Sequence, residues 1–206
     1  MMDWDKRYRD QDIPWDKGAP APILERLLNG SEPDGFPKLA QKTEVLVPGC
    51  GLGHDVRFIT AAGYRVTGCD ISTTAIEGAR CLDREAGVEP IYVVENIFDP
   101  ISPQVKQYDV IWEHTCYCAI EPGRRNEYVQ AIYDRLKPGG VLLGVFFVAP
   151  QRKLGPPHMT TEADLHFMFS SHFDLLWGRA PELYYPARKD MEWLMCWRKR
   201  GAVSYY

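Results

Sequence analysis

The chain has no excess of basic residues and no hydrophobic run long enough to matter to a membrane. Its 24 Lys and Arg are outnumbered by 28 Asp and Glu, a formal net charge of −4. It therefore lacks the basic field with which proteins gather nucleic acid or anionic lipid. No stretch approaches the ~20 consecutive apolar residues of a spanning helix. The opening MMDWDKRYRDQDIPWDKG mixes both charge signs and has no apolar core of a secretory signal. These absences predict a cytoplasmic protein with a small-molecule partner, no nucleic-acid or membrane partner, and a monomeric state. Paired CxxC spacing is also missing: the cysteines stand at 50, 69, 81, 116, 118 and 196, so no metal site is expected and most are read as small buried hydrophobes. Internal repeats, low-complexity tracts and interdomain linkers are lacking, which predicts one domain over residues 1–206. No Ser/His/Asp or paired-carboxylate pattern is visible.

What is present is an alternation of β-rich runs and helical stretches, the pattern of parallel strands joined by crossover helices. Strands are predicted at 44–47, 66–69, 90–95, 108–113 and 141–148. The last, VLLGVFFV, is nearly continuous apolar sequence, as in a strand covered on both faces. Helices are predicted at 55–62, closed by Gly63, and from Ser72 as N-cap to Ala86, stopped by Gly87. In RRNEYVQAIYDRLKPGG, Tyr128, Ile132 and Leu136 form one apolar stripe of a helix that Pro138-Gly139-Gly140 should end. A Pro/Gly-rich loop at 150–157 leads to a predicted helix at 161–171. Strand candidates at 173–178 and 191–197, separated by a polar loop, allow an antiparallel pair.

The segment VLVPGCGLGHD places Gly49, Gly51 and Gly53 between the first strand and its helix. Glycines there permit positive φ and let a ligand approach backbone N–H groups. Asp70 ends the second strand about 20 residues on, outside the core, where a carboxylate can accept hydrogen bonds from ribose hydroxyls. Together they point to an adenosine-containing ligand. The third glycine falls one residue earlier than in G-x-G-x-x-G and His54-Asp55 follow it, which argues against a pyrophosphate and so against a nicotinamide dehydrogenase. S-adenosylmethionine needs no phosphate cradle, and its ammonium and sulfonium favour nearby acids such as Asp55 and Glu113. Ligands of doubly wound sheets sit at the carboxyl ends of the strands. That brings Cys50, Ile71, Asn96, Ile97, Phe98, Glu113 and His114 to the same cleft, with Asn96 at the adenine edge and Ile97 or Phe98 on its face. Two tryptophans in a polar arm ahead of the first strand suit a sulfonium, which aromatic faces attract.

Several of these segments resemble the thiopurine S-methyltransferase superfamily, and especially its plant thiocyanate/thiol/halide methyltransferase branch. They are the Trp4, Tyr8, Trp15 run with PWDKG, then LVPGCGLGHDV, GCDIS, YDVIWEHTCYCAIEP and LKPGG, covering residues 4–148. GPPH at 155–158 resembles the family's loop near the substrate. The resemblance implies an α/β fold: a Rossmann-like class I methyltransferase sheet of seven mostly parallel strands, helices on both faces, the last strand antiparallel. It also implies an arm, residues 1–18, folded over the cofactor. By the same resemblance Trp4, Tyr8 and Trp15 line the cofactor, Gly49 and Asp70 hold its methionine and ribose, Asn96 and Ile97 its adenine, and His114 lies near the substrate. The thiopurine enzymes have arginine at the position of His114, and the plant enzymes tyrosine.

The activity expected is methyl transfer from S-adenosylmethionine to a small sulfur or halide nucleophile, such as a thiol, sulfide, thiocyanate or thiopurine. Such acceptors arrive as anions or become so with one base, a role open to His114. Residues 150–172 are expected on the substrate side, with Arg152, His158, Tyr184 and Tyr185 as candidates for its wall. Two other readings remain open: a metalloid or other small-molecule methyltransferase using Cys116 and Cys118, and a non-catalytic adenosine-cofactor-binding module.

Overall fold

The computed structural model describes residues 2–30, 43–101, 107–148 and 155–201. In chain order its elements are α1 (Trp4–Arg9), α2 (Leu24–Leu28), β1 (Glu44–Pro48), α3 (His54–Ala61), β2 (Arg65–Asp70), α4 (Thr73–Ala86), β3 (Ile91–Val94), β4 (Tyr108–His114), α5 (Arg125–Arg135), β5 (Leu136–Phe147), α6 (Glu162–Phe169), β6 (Phe173–Arg179) and β7 (Glu192–Lys199). Short 3-10 turns lie at Tyr117–Ala119, Pro122–Arg124 and Pro186–Arg188.

The strands form one seven-stranded sheet in the order β3-β2-β1-β4-β5-β7-β6. β1 to β5 pair in parallel, while β7 runs antiparallel to both β5 and β6. Side chains alternate across the pleat. Val45 and Val47 pack on one face with Leu24, Val56, Ile76 and Trp112. Leu46 packs on the other with Ile111, Tyr128, Ile132 and Phe169. The strand order reverses between β1 and β4, and at such a switch point the loops leaving the two strands diverge to opposite faces and open a crevice. Among the described residues no helix is long and apolar enough to cross a membrane.

Local chemistry explains the helix ends. Ser72 Oγ accepts from Ala75 N at 3.1 Å to start α4, and Gly87 closes it at φ +68°. Thr161 and Asp164 cap α6 reciprocally. α5 does not run on to Pro138 as the sequence suggests. Leu136 is drawn into the sheet opposite Tyr108, and Lys199 Nζ donates to the carbonyls of Tyr133 at 2.7 Å and Leu136 at 2.6 Å. The arm, expected only to be polar, contains α1, with Asp3 accepting from Lys6 N at 2.9 Å as its cap.

Candidate functional site

The glycine loop leaves β1 with three residues in the left-handed region: Gly49 at φ +58°, Gly51 at +53° and Gly53 at +73°. All three have close neighbours. A Cβ on Gly49 would sit 2.8 Å from Cys116 Sγ, and one on Gly51 would sit 2.6 Å from Tyr8 Oη. Asp70 ties the loop to the end of β2: its Oδ2 accepts from Gly51 N at 2.8 Å and its Oδ1 from Ser72 N at 2.9 Å. The residue is 7% exposed, which corrects the expectation that it stands clear of the core. Burial raises its carboxyl above the ordinary value, against the pull of the Ser72 and Gly51 amides.

The arm closes over this loop. Asp5 Oδ1 accepts from Ser72 Oγ at 2.8 Å and from Thr74 N at 2.9 Å, adding a second carboxylate to the N-terminus of α4. Trp15 donates from Nε1 to Tyr8 Oη at 3.3 Å, and Trp4 meets it edge to face at 5.4 Å. The Arg7 guanidinium covers a Trp15 face at 4.3 Å. Between arm and strand ends lies an open cleft of about 520 Å³, whose walls include Tyr8, Trp15, Gly49, Cys50, Gly51, Asp55, His114 and Tyr185.

At one end of the cleft charged side chains interlock. Asp55, in the first turn of α3, accepts from Ala21 N at 2.7 Å through Oδ1, and from Trp112 Nε1 and His114 Nδ1 at 2.8 Å each through Oδ2. Burial would raise this carboxyl, but the charge and hydrogen bond of His114, with the Trp112 bond, hold it below the ordinary value. Burial works against a charged His114, and the Asp55 carboxylate outweighs it, so the imidazole is held above its ordinary value. On the far side of the ring, Arg188 Nη1 lies 3.4 Å from Nε2 and 3.1 Å from Glu192 Oε1, while its Nη2 donates to Trp15 O at 3.3 Å. The Tyr185 ring stacks on His114 at 6.4 Å, and its hydroxyl faces the Ala19 and Pro20 carbonyls. Thr115, next along the chain, sits at φ +68°, a strained conformation for a β-branched residue.

Comparison with known proteins decides what this arrangement belongs to. The family model described as thiopurine S-methyltransferase matches residues 1–195. The chain belongs to that family. A probable thiol methyltransferase 2 of Arabidopsis thaliana is 32% identical over 95% of this chain and 84% of its own. Thiocyanate methyltransferase 1 of Brassica oleracea is 32% identical over 75% of this chain and 66% of its own length. Among solved structures, a Burkholderia thailandensis 1,6-didemethyltoxoflavin N1-methyltransferase with bound S-adenosylhomocysteine aligns at a TM-score of 0.71. It is 19% identical, covers 97% of this chain and 86% of that one, and establishes the fold alone. The thiopurine S-methyltransferase family member described here is an S-adenosylmethionine-dependent methyltransferase with the class I sheet.

The residues of this methyltransferase fit that cofactor. Exposed backbone at Gly49, a buried carboxyl at the end of β2, and the aromatic rings of Tyr8 and Trp15 are groups of the kinds that would suit an amino acid, a ribose and a sulfonium. The structure sorts the remaining candidates. Gly53 is the N-cap of α3, packed under Tyr92. Ile71 is 47% exposed just beyond β2. In the loop after β3, Asn96 Oδ1 accepts from Phe98 N at 3.2 Å, Ile97 is buried, and Arg124 covers the Phe98 ring at 3.6 Å. Glu113 does not reach the cleft: its carboxylate accepts from Cys116 N and Tyr117 N at 3.0 Å each and from Tyr128 Oη at 2.5 Å, and burial raises it. His158 is tied to the turn after β4 through its N–H to Cys118 O at 2.6 Å. Tyr184 is half-buried beside Tyr185. Arg152 lies outside the described residues. Sequence reasoning missed Arg188, an isolated arginine in a Pro-flanked turn that carries no periodic or motif signal.

Proposed function

We propose that this enzyme methylates a small sulfur nucleophile, a thiol or sulfide above all, with thiocyanate, thiopurine-like compounds and halides in the same class. The observation that carries the reading is the His114 imidazole at the cleft wall, anchored by Asp55 and backed by Arg188. When bound, S-adenosylmethionine supplies a sulfonium methyl group that leaves by in-line displacement. The chain's own task is then to present a nucleophile in a dry pocket with its charge managed. The Asp55 carboxylate, and more weakly Glu192, favour the imidazolium over the opposition of Arg188, so Nε2 is disposed to take up a proton. A thiol can provide it: the S–H bond breaks, the proton goes to Nε2, and the electron pair stays on sulfur as the attacking thiolate. The imidazolium and the Arg188 guanidinium then face that anion. An acceptor that arrives as an anion needs only the second half of this.

In this reading Tyr8 and Trp15 offer their rings to the sulfonium, and Trp4 buttresses Trp15. Gly49, Cys50 and Gly51 meet the methionine part, Asp70 the ribose, and Ile71, Asn96, Ile97 and Phe98 the adenine. Asp55 anchors His114, and Glu113 braces the turn after β4 from outside the cleft. Tyr185, with Tyr184, His158 and residues 155–172, closes the acceptor side, and residues 1–18 serve as a lid over a single domain. The names of the relatives support a sulfur acceptor. Thiolate ligation of a metalloid is disfavoured, because burial pushes the Cys118 thiol up to about 12 and that of Cys116 well above its ordinary value.

The test is transfer of a radiolabelled methyl group to a panel of alkyl thiols, sulfide, thiocyanate and iodide across pH 6 to 9. The thiol rate is expected to break at the His114 pKa and to lose that break in His114→Gln, while the thiocyanate rate stays flat. Absence of transfer to every sulfur acceptor defeats the proposal.

A further inference from the structure

We propose that Asp55 is a positioning residue that acts through His114, fixing the imidazole as its Nδ1–H tautomer so that Nε2 alone exchanges a proton with the acceptor. The inference rests on the reading of His114 as the group that holds that proton. The ordered contacts of Asp55 all go to the chain, and they come from separate elements: Ala21 N from the segment that follows the arm, and Trp112 Nε1 and His114 Nδ1 from β4. The Ala21 and Trp112 donors hold the carboxylate from two sides, so the oxygen that meets Nδ1 is fixed independently of the ring. An ionised carboxylate only accepts hydrogen bonds. Nδ1 must therefore carry hydrogen, and the lone pair lies on Nε2, where Arg188 Nη1 stands 3.4 Å away.

The charged and titratable groups around the ring are Asp55 from α3, Glu192 from β7, Arg188 from the turn before β7, and the Tyr185 hydroxyl beyond the stacked ring. Asp55 and Glu192 favour the imidazolium and Arg188 opposes it. Asp55 is the member in direct contact with Nδ1, at 2.8 Å. The same carboxylate joins the base of the arm, through Ala21, to the residue that would hold the proton.

Asp55→Asn tests this, most sharply together with Trp112→Phe, because once the indole N–H is gone the amide keeps its acceptor oxygen for Ala21 N and turns an NH2 group toward Nδ1. The tautomer is read from the 15N shifts of the imidazole in the ligand-free protein, without acceptor or cofactor. The wild type should show Nδ1–H, and Asp55→Asn should show Nε2–H with a lowered imidazole pKa. The thiol rate should fall by roughly 100-fold, as when a general base loses its correct tautomer, and the thiocyanate rate much less. Adding Asp55→Asn to His114→Gln should remove no further thiol activity. If Asp55→Asn does not fold, Asp55→Asn with Trp112→Phe removes the indole N–H that would face the new amide and carries the same readouts. An unchanged tautomer in the folded Asp55→Asn, Trp112→Phe variant overturns the proposal. So does an equal additional loss with both acceptors in the His114→Gln background. Failure of the sulfur-acceptor reading is distinguishable, since it would leave the tautomer switch in place with no acceptor methylated.

Discussion

Replacing Asp70 by Asn should weaken both the fold and the cofactor site, by separable amounts. Each carboxylate oxygen now receives one buried backbone N–H, from Gly51 at 2.8 Å and from Ser72 at 2.9 Å. The amide keeps one acceptor and turns an NH2 toward the other donor, so one buried N–H loses its partner, at about 1–3 kcal/mol. For a chain of this size each kcal/mol lowers the melting temperature by roughly 2–4 °C, so a drop of about 2–12 °C is expected by scanning calorimetry. A charge-assisted bond to a ribose hydroxyl contributes about 1.5–3 kcal/mol, so S-adenosylhomocysteine should bind roughly 10- to 100-fold more weakly by titration calorimetry. The pH dependence has a definite sign. Burial raises the Asp70 carboxyl in the folded state, so its contribution to stability is fully present below the ordinary value of 3.8. It is lost as pH rises through the folded value, because the folded state holds the proton longer. That slope should vanish in Asp70→Asn. A variant with wild-type melting temperature and wild-type affinity would refute the assignment of Asp70 to both the loop and the ribose.

Other substitutions probe the arm and the turn after β4. Gly51→Ala puts a Cβ 2.6 Å from Tyr8 Oη at φ +53°, so it should destabilise by roughly 1–2 kcal/mol and displace the arm. A change in tryptophan emission together with weakened cofactor binding would report both effects. Asp5→Ala removes the acceptor of Ser72 Oγ and Thr74 N; residues 1–18 should become sensitive to limited proteolysis while the main melting transition stays in place. Tyr128→Phe strips the buried Glu113 carboxylate of one donor, and a loss of about 1–3 kcal/mol in denaturant unfolding is expected. Cofactor affinity should change little, since Glu113 faces away from the cleft.

The first two-thirds of the sheet was legible because its signals are local. Ser72 and Gly87 bound α4 where the capping rules place them, and the apolar runs of β1, β2 and β4 need only their own composition to be read. Glu113 and His114 show where the reading fell short of information already available. Neighbours on a strand point to opposite faces, so both side chains could not enter one cleft. The same period puts Trp112 and His114 on one face, where both reach Asp55. Asp70 was placed correctly at a strand end, but its burial depends on the arm and on the loop folding back over it, contacts that no window of sequence contains. Arg188 lay furthest from view. It meets Trp15 O and His114, which stand 173 and 74 residues away in the chain, and nothing near residue 188 announces either.

The reversed direction of β7 has a consequence for how this enzyme can vary. Glu192 pairs with Phe147 and Leu194 with Val145, while Val145 also pairs with His114. The start of β7 therefore lies level with the finish of β4, and the stretch between β6 and β7 must hang over the cleft mouth. The loops that follow β1 and β2 belong to a different part of the chain and share no covalent neighbour with it. Exchanging residues 180–191 between relatives, with Tyr185 and Arg188 kept because they also hold Pro20 and Trp15, should therefore alter which nucleophile is accepted while leaving the grip on the methyl donor as it was.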